Sequence, residues 1–365
     1  MINKFGFLAH TFEFENLRST APSIYKKGFE RAEQNLRSIA PREMCRVVKL
    51  ISKQGIEVEG IIATTWLLSS QYFSLSQNEV YQKIIAAVKI CEKAGAKIVG
   101  LGGYNSIVPP GSGIRVSRDS RIGVTNGNTY TIITSLEAVR LALAKSKVTM
   151  NSVRVAILGA TGSIGSVLAE LFAIDKPVEL ILVSRNAERL QGRARSIQKN
   201  TDFQCVVETD IVKAVKRAHV VVCATSTPDA IIGSEHLLPG TIICDTSIPH
   251  NVSEKVAQNR DDVIVFEGGL ACVPQNKYFM RPDYTDSFDL LSGQMYGCFC
   301  ETAMLAMDDK FDHFSLNGIS IEKTKQIWDI ANKHGFSIAP LKNKKYHPIP
   351  DEYFERVGEL LRKRI

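Results

Sequence analysis

Apolar positions along this chain change period several times, and each change predicts an element. Over about residues 78–94, Val80, Ile84, Ile85, Val88 and Cys91 recur at helical spacing, and Gly95 follows as a stop. A short strand, KIVGL, then runs into Gly102-Gly103, and a second helix is expected over about 135–146. From 151 to 270 continuous apolar runs alternate with helical segments. Strands read at 153–158, 178–183, 205–207, 219–224, 241–245 and 263–266. Such runs fit a parallel sheet covered on both faces. Beyond 288 the pattern is helical: about 289–309, then 320–334, then DEYFERVGELLRKR. That last segment carries Tyr353, Phe354, Val357, Leu360 and Leu361 along one side. The stripe suits packing on its own protein, or a peripheral contact with a membrane surface or partner.

The resulting fold class is α/β. Residues 1–150 form an N-terminal α/β substrate-binding domain, 151–288 a Rossmann doubly wound parallel sheet, and 289–365 a C-terminal helical segment. The 365 residues are 44% apolar and 23% charged, ordinary for a globular enzyme. Eight scattered cysteines without a CxxC pair argue against a disulfide framework and a zinc site, and for a reducing compartment. No signal peptide opens the chain, and no apolar run approaches the ~18 residues of a membrane span, so a cytoplasmic protein is expected. The net charge of +7 suits an acidic partner, whereas Arg362-Lys363-Arg364 is too short for a nucleic-acid arm, and none is expected to bind.

The strand VRVAIL runs directly into Gly159-Ala160-Thr161-Gly162-Ser163-Ile164-Gly165 and a helix. A turn without side chains lets the backbone approach a pyrophosphate, and helix N-terminal amides then face it. At the end of the second strand, where an NAD site places an acid, this chain has Ser184-Arg185-Asn186. A guanidinium and a hydroxyl suit a 2′-phosphate, which favours NADPH. Thr225 and Ser226 after the fourth strand, and Gly268 after the sixth, are placed to line the cofactor. Downstream, Cys298 and Glu301 fall on one helix face at i,i+3. A thiolate beside a nicotinamide can accept an acyl group from a thioester and hold it for reduction, although a cysteine in a Phe- and Met-rich helix is also ordinary core.

With these motifs in view, the chain resembles the cyanobacterial long-chain acyl-(acyl carrier protein) reductases over about residues 4–338. FGFLAH, LGGYNSI, TNGNTYT and LGATGSIGS are similar to family segments, and QMYGCFCETAML (294–305) is the most specific of them. The resemblance implies an NADPH-dependent reductase that takes an acyl chain from acyl carrier protein or coenzyme A onto Cys298 and releases an aldehyde. It places the following acid on Glu301 and implies a magnesium dependence, with no metal site in the residues. Asn128 and Ser106, on family-matching loops, are candidate oxyanion donors, and His10 also falls on a family position. Tyr130 stands where the family has His, and His250 where it has Lys; the tail from about 340 has no counterpart. Two other readings share the architecture. One is a hydroxy- or keto-acid dehydrogenase of shikimate-dehydrogenase type; the other is a non-catalytic NADP-binding sensor or carrier-binding module.

Overall fold

A computed structural model describes residues 2–227, 229–276, 278–281, 290–316 and 318–365. The chain divides into two compact units that interleave along the sequence. Unit one takes Met1–Tyr130 and Ala271–Ser337, and unit two takes Thr131–Leu270 and Ile338–Ile365. The sequence reading instead cut the chain at 150 and 288 into three consecutive segments. Hydrophobic periodicity reports elements, not which sheet a returning segment rejoins.

Unit one is built on β1 (Asn3–Thr11), β2 (Arg42–Ile51), β3 (Glu57–Leu68), β4 (Ile98–Leu101) and β5 (Gly123–Thr125). Their sheet order is Phe279–Arg281, β2, β3, β1, β4, β5. β1 pairs in parallel with β3 and β4, whereas β2 runs antiparallel to β3. One face is covered by the helix Gln77–Lys93, whose Val80, Ile84, Val88 and Cys91 are buried. Gly6 leaves room for the Cys91 side chain. The helix Gly297–Met307 lies on the same sheet, with Thr302 seated over Gly100 and Phe299 edge-on to Phe5 and Phe7, each at 5.4 Å between ring centroids. Stacking of this kind adds specificity to apolar burial.

Unit two carries β6 (Arg154–Leu158), β7 (Glu179–Val183), β8 (Val206–Glu208), β9 (Val220–Cys223), β10 (Ile242–Asp245) and β11 (Ile264–Glu267). The order is β8, β7, β6, β9, β10, β11, all parallel. Counted from β6, this is the 3-2-1-4-5-6 order of a Rossmann sheet, so the expected fold class holds. The crossover side switches between β6 and β9, and the crevice outside their carboxyl ends is where such sheets bind ligands.

Two local expectations change, and a third resolves between its two alternatives. The helix expected near 135–146 begins at Asn128, because a run rich in β-branched residues (Thr129 to Thr134) obscures its first two turns. The helix expected from 289 begins at Gly297; Gln294–Tyr296 is a strand with Tyr296 extended as N-cap, and 289 itself lies outside the described residues. The C-terminal stripe faces its own unit. Tyr353, Phe354, Val357 and Leu361 are buried, and the Tyr353 hydroxyl donates to Arg260 O and Val263 O at 3.0 and 2.9 Å. It is therefore not available to a membrane. Among the described residues no helix is long and apolar enough to cross one.

Candidate functional site

Two sites emerge, one in each unit. In unit two, β6 ends at Leu158 and the chain turns through Gly159, whose φ of +81° belongs to the left-handed region. A Cβ at Gly159 would overlap Ala224 O after β9, and one at Gly165 would overlap Gly159 O. Both glycines are thus demanded by backbone approaching backbone. The N–H groups of Gly159 and Ala160 donate to Val183 O at 2.9 and 3.1 Å, which ties the turn to β7. Gly162 and Ser163 remain exposed at the start of the twelve-residue helix Ser163–Ile174, whose N-cap Gly162 offers no side chain to satisfy its first amides; Thr161 and Ile164 flank them. An exposed helix start, with the positive end of its dipole toward solvent, fits a pyrophosphate.

Thr161 Oγ1 and Ser184 Oγ are hydrogen-bonded at 3.0 Å, joining the turn to the end of β7. Arg185 follows, exposed, while Asn186 caps the next helix through Arg189 N at 2.9 Å. These groups fit an adenosine ribose carrying a 2′-phosphate. Across the crevice Thr225 is fastened by its neighbours: its N–H donates to Ser247 Oγ at 3.1 Å, and its hydroxyl donates to Asn251 Oδ1 at 2.7 Å. Ser226 beside it is exposed. Gly268 is buried, and the space a side chain would need there is filled by Thr246 and Cys244. Its missing Cβ thus serves packing within the unit.

Sequence reasoning missed a charged cluster at the carboxyl ends of β10 and β11. His250 Nε2 lies 3.4 Å from Glu267 Oε1, and the buried Lys342 ammonium lies 2.9 Å from Glu267 Oε2. Asp245 Oδ2 is 3.8 Å from His250 Nδ1 and also accepts from Val252 N at 2.9 Å. Burial raises the Glu267 carboxyl, but bonding to His250 and the Lys342 charge outweigh it and bring it down to about 2. For His250 burial works downward, and Glu267 with Asp245 reverse it, so its pKa ends above the usual value. Burial pushes the Asp245 carboxyl up to about 6, against His250 and three backbone N–H groups.

In unit one, Cys298 is the second residue of the helix Gly297–Met307 and is half-buried. Backbone N–H groups of Phe299, Cys298 and Gly103 face its sulfur. Gly127, with φ of +71°, presses onto the Cys298 backbone so closely that a Cβ there would overlap it. Burial pushes the Cys298 thiol up to about 12; the three amides act downward and the Glu301 charge upward. The resting group is a thiol set among donors that could hold a developing negative charge.

Glu301 is fully buried and accepts from Thr125 Oγ1, from Ser315 Oγ at 2.8 Å and from Tyr130 N at 2.9 Å. Burial raises its carboxyl against these bonds. It is therefore a clamp that fixes the 125–130 segment, from the end of β5 to the helix start, and with it Gly127, over Cys298. Asn128 follows Gly127 and opens the long helix, its N–H taken by Asn126 Oδ1 at 3.1 Å. Ser106 donates to Gly103 O at 3.0 Å, shaping the turn whose amide faces the sulfur. The Tyr130 ring lies in the apolar cluster with Phe299 and Cys300. His10 is buried, its pKa pushed down to about 4 by burial, and its Nε2 accepts from Tyr104 N at 3.1 Å, which makes it structural. Gly103 and Gly127 went unnoticed as site residues, although LGGY and TNGN each place a glycine in a loop of the family resemblance. Among the described residues no group of three His, Cys, Asp or Glu could hold a metal.

Residues 142–267 match the shikimate / quinate 5-dehydrogenase family. The chain is 25% identical over 357 residues to the aminotransferase PigE of a Serratia strain, covering 93% of this chain and 40% of that protein. It is 26% identical over 353 residues to the long-chain acyl-[acyl-carrier-protein] reductase of Synechococcus elongatus, covering 91% of this chain and 98% of that one. The chain thus spans less than half of the first relative and nearly all of the second. Among solved structures it is similar to L-tryptophan dehydrogenase from Nostoc punctiforme, with a TM-score of 0.43, 11% identity, and coverage of 100% of this chain and 88% of that chain.

Proposed function

We propose that this chain is an NADPH-dependent reductase that converts an acyl thioester, carried by acyl carrier protein or coenzyme A, to an aldehyde through an acyl group on Cys298. The observation that carries the reading is the sulfur at a helix start with the amides of Gly103, Cys298 and Phe299 around it. The similarity to an acyl-[acyl-carrier-protein] reductase over 91% of the chain supports it.

In the first stage the Cys298 sulfur attacks the thioester carbonyl. A new carbon–sulfur bond forms, the carrier's carbon–sulfur bond breaks, and the cysteine proton leaves with the carrier thiol. Charge that develops on sulfur is held by the facing amides, with the helix start favouring it. A thiol pushed up to about 12 is a poor nucleophile until it is deprotonated as it attacks. Asn128, at the helix start after Gly127, and Ser106, whose hydroxyl shapes the Gly103 turn, are the candidate oxyanion donors for this stage. Bound NADPH would supply the hydride that reduces the acyl group. Gly159, Thr161, Gly162, Ser163, Ile164 and Gly165 would hold its pyrophosphate, and Ser184 with Arg185 its 2′-phosphate. Once the carbonyl carbon has taken the hydride, the carbon–sulfur bond would break, the aldehyde would leave, and the Cys298 thiolate would take a proton from water. Magnesium has no candidate site among the described residues.

The test is product analysis with NADPH and a series of acyl thioesters. Aldehyde should form with wild type and not with Cys298→Ala. Aldehyde formed equally by that variant would sink the cysteine route. The match of residues 142–267 to shikimate / quinate 5-dehydrogenases favours a second reading, a hydroxy-acid dehydrogenase. NADP reduction by small hydroxy acids, unaffected by Cys298→Ala, would select it.

A further inference from the structure

The amino-terminal ends of the unit-two strands carry a groove of about 620 Å³, at the opposite end of the sheet from the glycine turn. Arg154, Lys216, Arg217 and Arg364 line it, against a single acid, Glu179. Arg217 is ion-paired with Glu179. Arg154 donates to Arg217 O at 2.9 Å, and Arg364 donates to Ala218 O and Pro239 O at 2.8 and 3.0 Å. Bonds to carbonyls fix these guanidiniums but leave their charge uncancelled. The excess is felt nearby. Burial, and then the charges of Arg154 and Arg364, hold the His219 imidazole down at about 4.

The rim of the groove is aliphatic. Val178 is 61% exposed and Leu238 42%. Ile174, at the end of the helix that leads into Val178, is 49% exposed. Cations set among solvent-facing aliphatic side chains match a surface that is anionic outside and apolar just beneath. A nucleic acid would satisfy the charges and leave the aliphatic groups without a partner, and an acidic protein would have to match both the cations and three scattered aliphatic side chains, whereas a bilayer meets both without a matched shape.

We propose that this groove docks the chain onto an anionic lipid bilayer, with Val178, Leu238 and Ile174 entering the headgroup region. The glycine turn, at the other end of the same strands, then stays open to its cofactor. This inference is independent of the acyl-transfer reading, because vesicle binding needs neither Cys298 nor NADPH.

The test is sedimentation of the full chain with phosphatidylglycerol–phosphatidylcholine vesicles and with pure phosphatidylcholine vesicles, at low and high salt. Binding should require the anionic lipid and weaken with salt. Lys216→Gln with Arg217→Gln should lower partitioning about 25-fold, roughly fivefold per charge. Val178→Ser with Leu238→Ser should weaken binding while leaving its salt dependence. Lys26→Gln with Lys27→Gln, an equal charge change on exposed residues of unit one, should bind as wild type. Unchanged thermal midpoints keep misfolding apart from lost docking. The proposal is overturned by equal binding to neutral vesicles, by no binding at all, or by wild-type binding of the two groove variants. Capture by an acidic protein without vesicle binding overturns it as well.

Discussion

Gly127→Ala is the sharpest perturbation of the Cys298 site. The native φ of +71° costs an alanine about 1–2 kcal/mol. The new methyl would also overlap the Cα and Cβ of Cys298 and lie 2.9 Å from its carbonyl carbon. Relieving that overlap needs a separation of roughly 1 Å between the 125–130 segment and the start of the helix Gly297–Met307, at about a further 1–3 kcal/mol. Glu301 opposes the movement, because it grips Thr125, Tyr130 N and Ser315. A total loss of about 2–5 kcal/mol is expected. Displacing the sulfur by this distance from the Gly103 amide should slow acyl transfer about 100-fold. Urea unfolding of the full chain reads the first quantity, and single-turnover acylation under native conditions reads the second. An alanine variant that unfolds and acylates like wild type would refute the packing of Gly127 on Cys298.

Three other outcomes follow from the same geometry. Arg185→Asp should weaken NADPH binding about 10-fold to 100-fold and spare NADH, as measured by fluorescence titration, because a charge-assisted bond to the 2′-phosphate is replaced by repulsion. Cys298 should react slowly with iodoacetamide at neutral pH, its rate still climbing about tenfold per pH unit toward 10 because the thiol is pushed up to about 12; a plateau near pH 7 would contradict this. The Glu267 cluster should give unit two a two-sided pH profile. A carboxyl brought from 4.5 to about 2 contributes up to about 3 kcal/mol, present above pH 4.5 and lost as pH falls through 2. His250, raised above 6.5, contributes below that value and loses its contribution as pH rises through its folded pKa. Glu267→Gln should flatten the acid limb of the unfolding curve.

The Rossmann unit was largely legible in the sequence, because each of its buried parallel strands is a short apolar run and the glycine turn sits between one strand and one helix. Positions 154–158, 179–183, 220–223 and 242–245 fall within the expected runs. The return of 271–337 to the first sheet was not legible. What makes the helix Gly297–Met307 belong there is a set of long-range fits, Thr302 on Gly100 and Phe299 between Phe5 and Phe7. The destination of the C-terminal stripe was open for the same reason, since amphipathicity says that a face is covered and not by what. Around Cys298 the residue types were legible in the sequence, and the contacts they make were not. Glu301 reads as an acid beside a nucleophile, yet its oxygens are spent on Thr125, Ser315 and Tyr130. The donors that face the sulfur are backbone amides, which every residue possesses and no sequence pattern announces. The partnership of His250, Glu267 and Lys342 joins three distant stretches of chain, so spacing could not reveal it.

The central claim is that Cys298 accepts an acyl group. Intact-protein and peptide mass spectrometry after mixing the full chain with an acyl thioester, without NADPH, tests it most directly. The account predicts one acyl adduct, mapped to Cys298, absent from Cys298→Ala and removed when NADPH is added. An adduct on another cysteine, or one that persists in the alanine variant, would contradict it.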